Sequence, residues 1–130
     1  MTVPKKKYGL PKAYRIKRKK IFEHLASEGQ SVFEFPYKLV FAGTDLSEDV
    51  PYQVAFGVSK RKFKKAVKRN RIKRLMREAF RLHQDLLPQD KSLALFVIYV
   101  DKEEHPFAFM EEKMIALLQK LKTFYDGPAQ

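Results

Sequence analysis

The fold of this 130-residue chain is decided by residues 59–80, which read SKRKFKKAVKRNRIKRLMREAF. When residues are placed at about 100° per step, the apolar positions from residue 72 onward share one side of a helix. They are Ile72, Leu75, Met76, Ala79 and Phe80, followed by His83. The opposite side carries Asn70, Arg74, Arg77 and Arg81, flanked by Arg71 and Lys73. We therefore predict an amphipathic helix with one face in a core and the other exposed.

The limits of this helix follow from its apolar positions and from a proline. The helical pattern runs from about Lys65 to Leu86 and is closed by Pro88. Phe63, Ala66 and Val67 lie roughly half a turn away from the later apolar stripe. We therefore expect the amphipathic part to start near Ala66, with residues 60–64 forming a basic loop.

The cations of this segment have no acidic partners nearby in sequence. Between residues 60 and 77 there are eleven basic residues and no carboxylate, and Glu78 is the first acid. A helix exposed only to solvent would normally carry both signs of charge. Guanidinium groups pair with two phosphate oxygens at once, and the Asn70 amide suits a base edge or a 2′-hydroxyl. The pattern favours a nucleic-acid-binding helix.

The charge of the whole chain is distributed unevenly. The net charge is +12; residues 1–77 hold 21 basic and six acidic residues, whereas residues 78–130 hold six basic and nine acidic residues. Two runs, 5–20 and 60–77, contain no acid. Such runs repel themselves unless a polyanion neutralises them. The alternative is a solvated basic surface that serves solubility.

Length and composition predict one soluble domain over residues 1–130, with residues 1–14 extended or mobile. The hydrophobic fraction of 45% suffices for a core, and the lack of cysteine excludes disulfides and thiolate metal sites. No signal-peptide core follows the basic N-terminus. The longest apolar run, Leu93–Val100, is too short to span a bilayer. We expect a cytoplasmic protein.

The remaining elements predict a small α+β sandwich. A first helix is expected at Lys17–Glu28, with Gly29 as its stop. Two strands rich in β-branched and aromatic residues, Tyr37–Ala42 and Tyr52–Ser59, are separated by a polar stretch that is typical of a hairpin loop. Leu93–Val100 is apolar throughout, which indicates a strand buried on both faces. A last helix follows Pro106. The expected order is helix, two or three strands, helix, strand, helix.

The segment 59–80 closely resembles the signature of the bacterial ribonuclease P protein family. The centre of the resemblance is Arg69-Asn70-Arg71, followed by Ile72, Lys73 and Arg74, and it extends over nearly the whole chain in length and element order. It implies a two-layer α+β sandwich with a four-stranded sheet, of a type also found in a domain of a small-subunit ribosomal protein. It further implies a rare left-handed strand–helix–strand crossover, against the usual preference.

The resemblance also implies a function. The chain would be the protein subunit of ribonuclease P, binding the catalytic RNA and the 5′ leader of precursor tRNA and assisting removal of that leader. The RNA-binding residues that the resemblance implies are Lys60, Arg61, Arg69, Asn70, Arg71, Lys73 and Arg74. The run of cations without acids adds Lys62, Lys65 and Arg77 as candidates. The family usually has glycine where this chain has Lys64, and glycine adopts some turn conformations at a lower cost than lysine does.

A cleft for the single-stranded leader, between the first helix and the sheet, is the second site that the resemblance implies. Such a site needs platforms for bases flanked by cations. The candidates are Arg15, Lys17, Phe22, Lys38 and Val40. Phe22 matches one family aromatic, while Ala26 replaces a second. Two alternatives stay open: Phe22 packs only in the core, and alternation does not say which sheet face Lys38 and Val40 take.

No catalytic constellation is visible in the sequence. His24, His83 and His105 are scattered, and the pairs Glu103–Glu104 and Glu111–Glu112 are adjacent residues that we expect to be solvated. Catalysis would then belong to the RNA, with magnesium held mainly by it. The main alternative function is a structural RNA-binding protein of the ribosomal type. A double-stranded DNA binder is a weaker alternative, since only Asn70 suits base readout.

Overall fold

A computed structural model of the protein describes residues 10–46, 49–88 and 90–127. Its four strands are β1 (Gln30–Glu34), β2 (Tyr37–Gly43), β3 (Tyr52–Val58) and β4 (Leu93–Tyr99). Its three α-helices are α1 (Lys19–Glu28), α2 (Ala66–Leu82) and α3 (Phe107–Asp126). Short 3-10 helices occupy Lys12–Tyr14 and Gln84–Leu86. The predicted α+β class is confirmed.

The sheet order is β1-β2-β4-β3, which corrects one expectation. β1 and β2 are antiparallel, as are β2 and β4, whereas β3 and β4 are parallel. The predicted hairpin between β2 and β3 is therefore wrong, because β4 lies between them. β4 takes this central place because it is apolar on both faces. The prediction that it is buried on both faces is wrong for the α1 side, where Phe96 and Ile98 are only partly buried, because α1 covers only one end of the sheet. The actual hairpin joins β1 to β2 through the cis peptide bond Phe35–Pro36.

The crossover β3–α2–β4 places α2 against one face of the sheet, beside α3. Helix α2 begins at Ala66, as expected, and its stripe residues Ile72, Met76 and Phe80 are fully buried. The helix ends at Leu82, and a 3-10 helix replaces the last predicted turn. The left-handedness of the crossover stays a prediction.

One arginine of α2 does not follow its predicted face. Arg81 was expected on the exposed side with Arg74, yet it is only 7% exposed and its guanidinium donates to the Glu78 carboxylate. The reason is that the chain folds back after α2, where the Gln84 side chain donates to the Arg81 carbonyl at 3.0 Å. The last turn of the helix is thereby enclosed.

Helix α1 lies on the opposite face of the sheet and covers only one end of it. Ile21 and Leu25 pack on Ala42 of β2 and Ala94 of β4. The helix begins at Lys19 rather than Lys17 and ends before Gly29, as predicted. A Cβ at Gly29 would lie 2.3 Å from the Leu25 carbonyl oxygen, so this position requires glycine.

The segment before α1 runs along the outer edge of β3. The backbone N–H of Ile16 donates to the Val54 carbonyl at 3.2 Å, and the Gln53 side chain donates to the Ala13 carbonyl at 2.8 Å. The prediction for residues 1–14 falls partly on residues 1–9, which lie outside the described residues; residues 12–14 form a 3-10 helix. Within the described ranges, no helix has the length and apolarity needed to cross a membrane.

Candidate nucleic-acid interface

The loop between β3 and α2 is a tight turn that exposes three cations. The Ser59 hydroxyl oxygen accepts hydrogen bonds from the N–H groups of Arg61 at 3.1 Å and Lys62 at 3.4 Å. The Ser59 carbonyl accepts the Phe63 N–H at 3.1 Å. The Phe63 ring is buried, with 6% exposed. Lys60 and Arg61 therefore project into solvent from a turn that is anchored at both ends, whereas the Lys62 ammonium donates to the Val100 carbonyl at 2.5 Å.

Arg69 holds this loop against the first turn of α2. One guanidinium nitrogen of Arg69 donates to the carbonyls of Phe63 and Lys64, both at 2.8 Å. No described non-glycine residue has a positive φ, so Lys64 takes an ordinary backbone conformation. The lysine that replaces the usual family glycine thus causes no backbone strain. Among the predicted RNA-binding residues, Arg69 supports the loop from within the protein.

The outward side of α2 continues the surface of the loop. We call this surface the basic face and define it by Lys60, Arg61, Lys62, Lys65, Asn70, Lys73, Arg74 and Arg77. Asn70 and Arg74 are exposed, while Lys73 and Arg77 are partly buried. Helix α2 has neither a side-chain N-cap nor an acid in its first turn, so its partial positive charge adds to these cations.

Glu104, in the loop between β4 and α3, supplies a carboxylate to the flank of α2. It lies 3.2 Å from the Arg71 guanidinium and 3.7 Å from the Lys68 ammonium, and all three side chains are partly exposed. The sequence argument that these cations lack a partner is therefore wrong for Lys68 and Arg71. The partner comes from a segment distant in sequence, so local charge counting does not reveal it.

Asp101 fixes the loop that carries Glu104. Its carboxylate accepts the backbone N–H groups of Lys102 at 2.7 Å and Glu103 at 3.2 Å and also bonds the His105 ring. Burial acts to raise the pKa of Asp101, but the hydrogen bonds from His105 and the two N–H groups outweigh it and lower the pKa. Asp101 therefore stays charged and holds the turn in place.

Arg77 of α2 and Arg15 both lie near β3, although 62 positions of numbering separate them (77 − 15). The Arg77 guanidinium carbon lies 5.8 Å from the centre of the Phe56 ring. Burial lowers the pKa of Arg77, and the charge of Arg15 lowers it further. Arg15 and Arg77 thus add two guanidinium charges beside the edge strand β3.

The face of the sheet that α1 leaves uncovered has two rows of side chains. We call it the open face. Strand register places Phe33, Lys38, Ile98 and Gly57 in its first row and Ser31, Val40, Phe96 and Ala55 in its second. This settles the question that alternation left open, because Lys38 and Val40 both lie on the side of α1.

Phe22 stands at the border of the open face. Its ring lies edge-on to the ring of Phe96, with 5.5 Å between their centres, and it is partly buried. A Cβ at Gly57 would lie 2.9 Å from the Phe96 ring, so glycine makes room for that ring. Ala26 is exposed on α1, and Lys17 is exposed in the segment that precedes this helix. Phe22 both packs on the protein and presents a surface.

The histidines and acidic pairs are mostly engaged within the fold. The His83 ring bonds Glu111 at 2.8 Å, as expected for a partly buried histidine, and the His24 ring contacts the Gly43 carbonyl at 3.2 Å. Glu104 thus forms ion pairs and Glu111 bonds the His83 ring, which corrects the prediction that these two carboxylates are only solvated. In the described part of the chain, no three His, Cys, Asp or Glu residues are grouped to hold a metal ion.

Comparison with known proteins identifies the family. The family model for ribonuclease P matches residues 10–122. The chain belongs to the ribonuclease P protein family. It is similar to the ribonuclease P protein component of Porphyromonas gingivalis, with 31% identity over 112 residues and 82% of each chain covered. The component from Desulfovibrio desulfuricans is 35% identical over 123 residues, covering 94% of this chain and 93% of that one.

Solved structures agree with this assignment. The ribonuclease P protein of Thermotoga maritima matches with a TM-score of 0.68 and 26% identity, covering 82% of this chain and 96% of that chain. The prediction from residues 59–80 is therefore confirmed over the alternative of a ribosomal-type protein. Ribonuclease P is an endoribonuclease of tRNA 5′ maturation, and this chain is of the kind that forms its protein component.

Three residues of the open face were missed by sequence reasoning. Phe96 and Ile98 lie in a strand that is apolar at every position, so periodicity cannot say which side chains face α1. Phe33 lies in β1, which was not predicted as a distinct strand. The one available signal for Phe96 was Gly57, a glycine inside a strand, which often marks a close approach.

We predict that Arg69→Ala loosens the loop before α2. Two hydrogen bonds from a charged group to carbonyls are lost, and because the site is partly exposed we expect a loss of about 1 kcal/mol in the free energy of unfolding. Hydrogen exchange should also accelerate at the N–H of Phe63. Arg74→Ala is the matched control and should leave both quantities near wild type; equal effects of the two variants would contradict the anchoring role of Arg69.

Proposed function

We propose that this protein binds the catalytic RNA of ribonuclease P through the basic face and the 5′ leader of precursor tRNA through the open face. The observation that carries the proposal is the arrangement of exposed cations on a loop and helix whose backbones are anchored. Their positions are set before any RNA arrives, so little ordering cost accompanies binding. The cytoplasm, where precursor tRNA is made, is the expected location.

The basic face suits folded RNA because most of its cations are exposed. Phe63 and Arg69 hold the loop from below, while Arg74 is exposed and pairs with no carboxylate among the described residues. Helix and loop thus offer guanidinium and ammonium groups at fixed spacing to phosphates of the RNA backbone. The Asn70 amide can reach a 2′-hydroxyl in a wide minor groove.

The open face suits a single strand because it combines aromatic surface with nearby cations. The rings of Phe22 and Phe96 offer platforms to unpaired bases, and Val40 lies in the same row as Phe96. Lys38 lies one row away, and Arg15 lies at the outer edge of β3. Base stacking combined with a cationic groove is the general mode of single-strand binding.

Magnesium is the cofactor that we assign to the complex, held mainly by the RNA. The described residues of this chain offer no cluster of carboxylates and histidines suited to it, whereas RNA phosphates are hard oxygen ligands. When bound, magnesium supplies an activated water for attack on the phosphodiester. The protein's own residues bind and orient the two RNAs and screen the repulsion between their phosphates.

Reconstitution tests the proposal directly. We expect this protein to restore 5′ cleavage of precursor tRNA by a bacterial ribonuclease P RNA at low magnesium, where RNA alone is inefficient, because protein cations replace part of the ionic screening. The measurement is the cleavage rate with and without protein across a magnesium titration. An absence of stimulation with the cognate RNA would overturn the proposal.

Two substitutions of opposite effect test the basic face. Arg74→Ala should weaken binding to the ribonuclease P RNA and reduce the log–log salt slope by about 0.7–0.9. Glu104→Gln should tighten binding by about two- to five-fold, because exposed ion pairs are weak and RNA no longer has to displace this carboxylate from Lys68 and Arg71. Lys122→Ala, which removes an exposed charge from α3, is the control. An unchanged slope in Arg74→Ala would remove this face from the interface.

Phe22→Ala tests the leader path. It should weaken binding of leader-bearing precursor tRNA by about five-fold or more, as expected for loss of one stacked base, and leave mature tRNA binding unchanged. Affinities of the reconstituted enzyme for both RNAs provide the measurement. Phe124→Ala, a partly exposed phenylalanine on α3, controls for lost packing. Equal weakening of both RNAs would assign Phe22 to packing alone.

A further inference from the structure

We infer that Phe33 and Lys38 form an additional nucleotide-binding position at the outer edge of the open face. This inference rests on the proposed function, since it extends the same leader path from Phe22 and Phe96 across the sheet to β1. The position would take an unpaired base on the Phe33 ring and its phosphate at Lys38.

The Phe33 side chain is exposed on the correct face. It is 57% exposed, although phenylalanine is usually buried. Register pairs it with Lys38, which pairs in turn with Ile98, so all three side chains lie in the first row of the open face. The ring therefore continues the surface that Phe96 begins.

The backbone beneath the Phe33 ring is anchored from the other face of the sheet. The Lys120 ammonium of α3 donates to the Phe33 carbonyl and lies 3.0 Å from the Glu34 carboxylate. Lys113, also on α3, lies 3.9 Å from the same carboxylate. Two lysines of α3 thus tie strand β1 to that helix, while the Phe33 side chain stays more than half exposed. A fixed backbone with an exposed ring is a preorganised platform.

The charge around the ring suits a phosphate. The Lys38 ammonium lies 5.6 Å from the centre of the Phe33 ring and forms no ion pair with any described residue. Neither row of the open face contains an acidic residue. A nucleotide stacked on the ring would therefore meet a cation and no carboxylate. A stacking ring beside an unpaired cation is the composition of a single-strand site.

Distance makes this position dependent on leader length. Phe96 and Phe33 are separated by two strand spacings and one pleat repeat, which amounts to about 12 Å. A short leader that reaches Phe22 and Phe96 does not extend to Phe33, and a longer one does. Phe33 should therefore contribute to affinity only when the leader exceeds a threshold length. Phe22 should contribute to affinity already at shorter leader lengths.

Phe35 provides a matched control within the same hairpin. It is also 57% exposed, but it follows the end of β1, and its ring lies edge-on to His105 at 6.4 Å. It belongs to neither row of the open face. Removing this ring tests whether any exposed phenylalanine near the hairpin has the same effect.

The experiment measures the affinity of the reconstituted enzyme for precursor tRNAs whose leaders lengthen one nucleotide at a time. We expect Phe33→Ala to weaken binding of long-leader substrates by about five-fold or more and to leave the shortest leaders unaffected. Phe33→Trp should retain the affinity and Phe33→Leu should not, because stacking requires a ring. Phe35→Ala should match wild type at every length.

Several outcomes would overturn the inference. An effect of Phe33→Ala that is equal at all leader lengths, or full affinity in Phe33→Leu, would show that no base stacks there. A change in self-association by sedimentation, without a change in leader affinity, would make Phe33 a protein contact. If Phe22→Ala weakens leader binding and Phe33→Ala does not, only this inference fails; if neither variant matters, the leader path itself fails.

Discussion

The burial of one apolar stripe against the sheet is the constraint on which the rest of this protein depends. Ile72, Met76 and Phe80 pack into the core, which compels the cations of α2 to face outward, since burying unpaired charge is costly. Phe63 extends the same core into the preceding loop, and Arg69 joins that loop to the helix. Loop and helix therefore act as one surface, and a flexible basic arm would not present its charges in this way.

The second surface exists because α1 is short and placed at one end of the sheet. The helix covers the row that contains Ala42 and Ala94 and leaves two rows open, with Phe22 at the border. β4 is central and apolar on both sides, so its outward side chains supply a floor that α1 covers only in part, through the contact of Phe22 with Phe96. Arg77 of the basic face and Arg15 both lie near β3, the edge strand of the sheet. One small domain thus carries both surfaces.

Part of the protein's positive charge is neutralised by its own carboxylates. Glu104 occupies the flank of α2 in the way that a phosphate would, with Lys68 and Arg71 as its partners. These pairs are exposed and weak, so an RNA backbone can replace the carboxylate at low cost. The arrangement restrains the self-repulsion of the free protein while keeping its cations available. Asp101 keeps the carboxylate in position through its hydrogen bonds to the same loop.

The sequence by itself determined the start of α2 at Ala66, its buried stripe, its cationic side at Asn70 and Arg74, and the apolar strand β4, because these depend on local periodicity. It also determined the family, because the family is marked by a contiguous motif. Only the tertiary structure decided that β4 separates β2 from β3 and that Lys38 and Val40 lie on the α1 side of the sheet. It also decided that Arg81 is buried and that Glu104 pairs with Arg71. Each of these features depends on residues that are distant in the chain and are brought together by the packing of whole helices and strands. Periodicity within one segment carries no information about that packing.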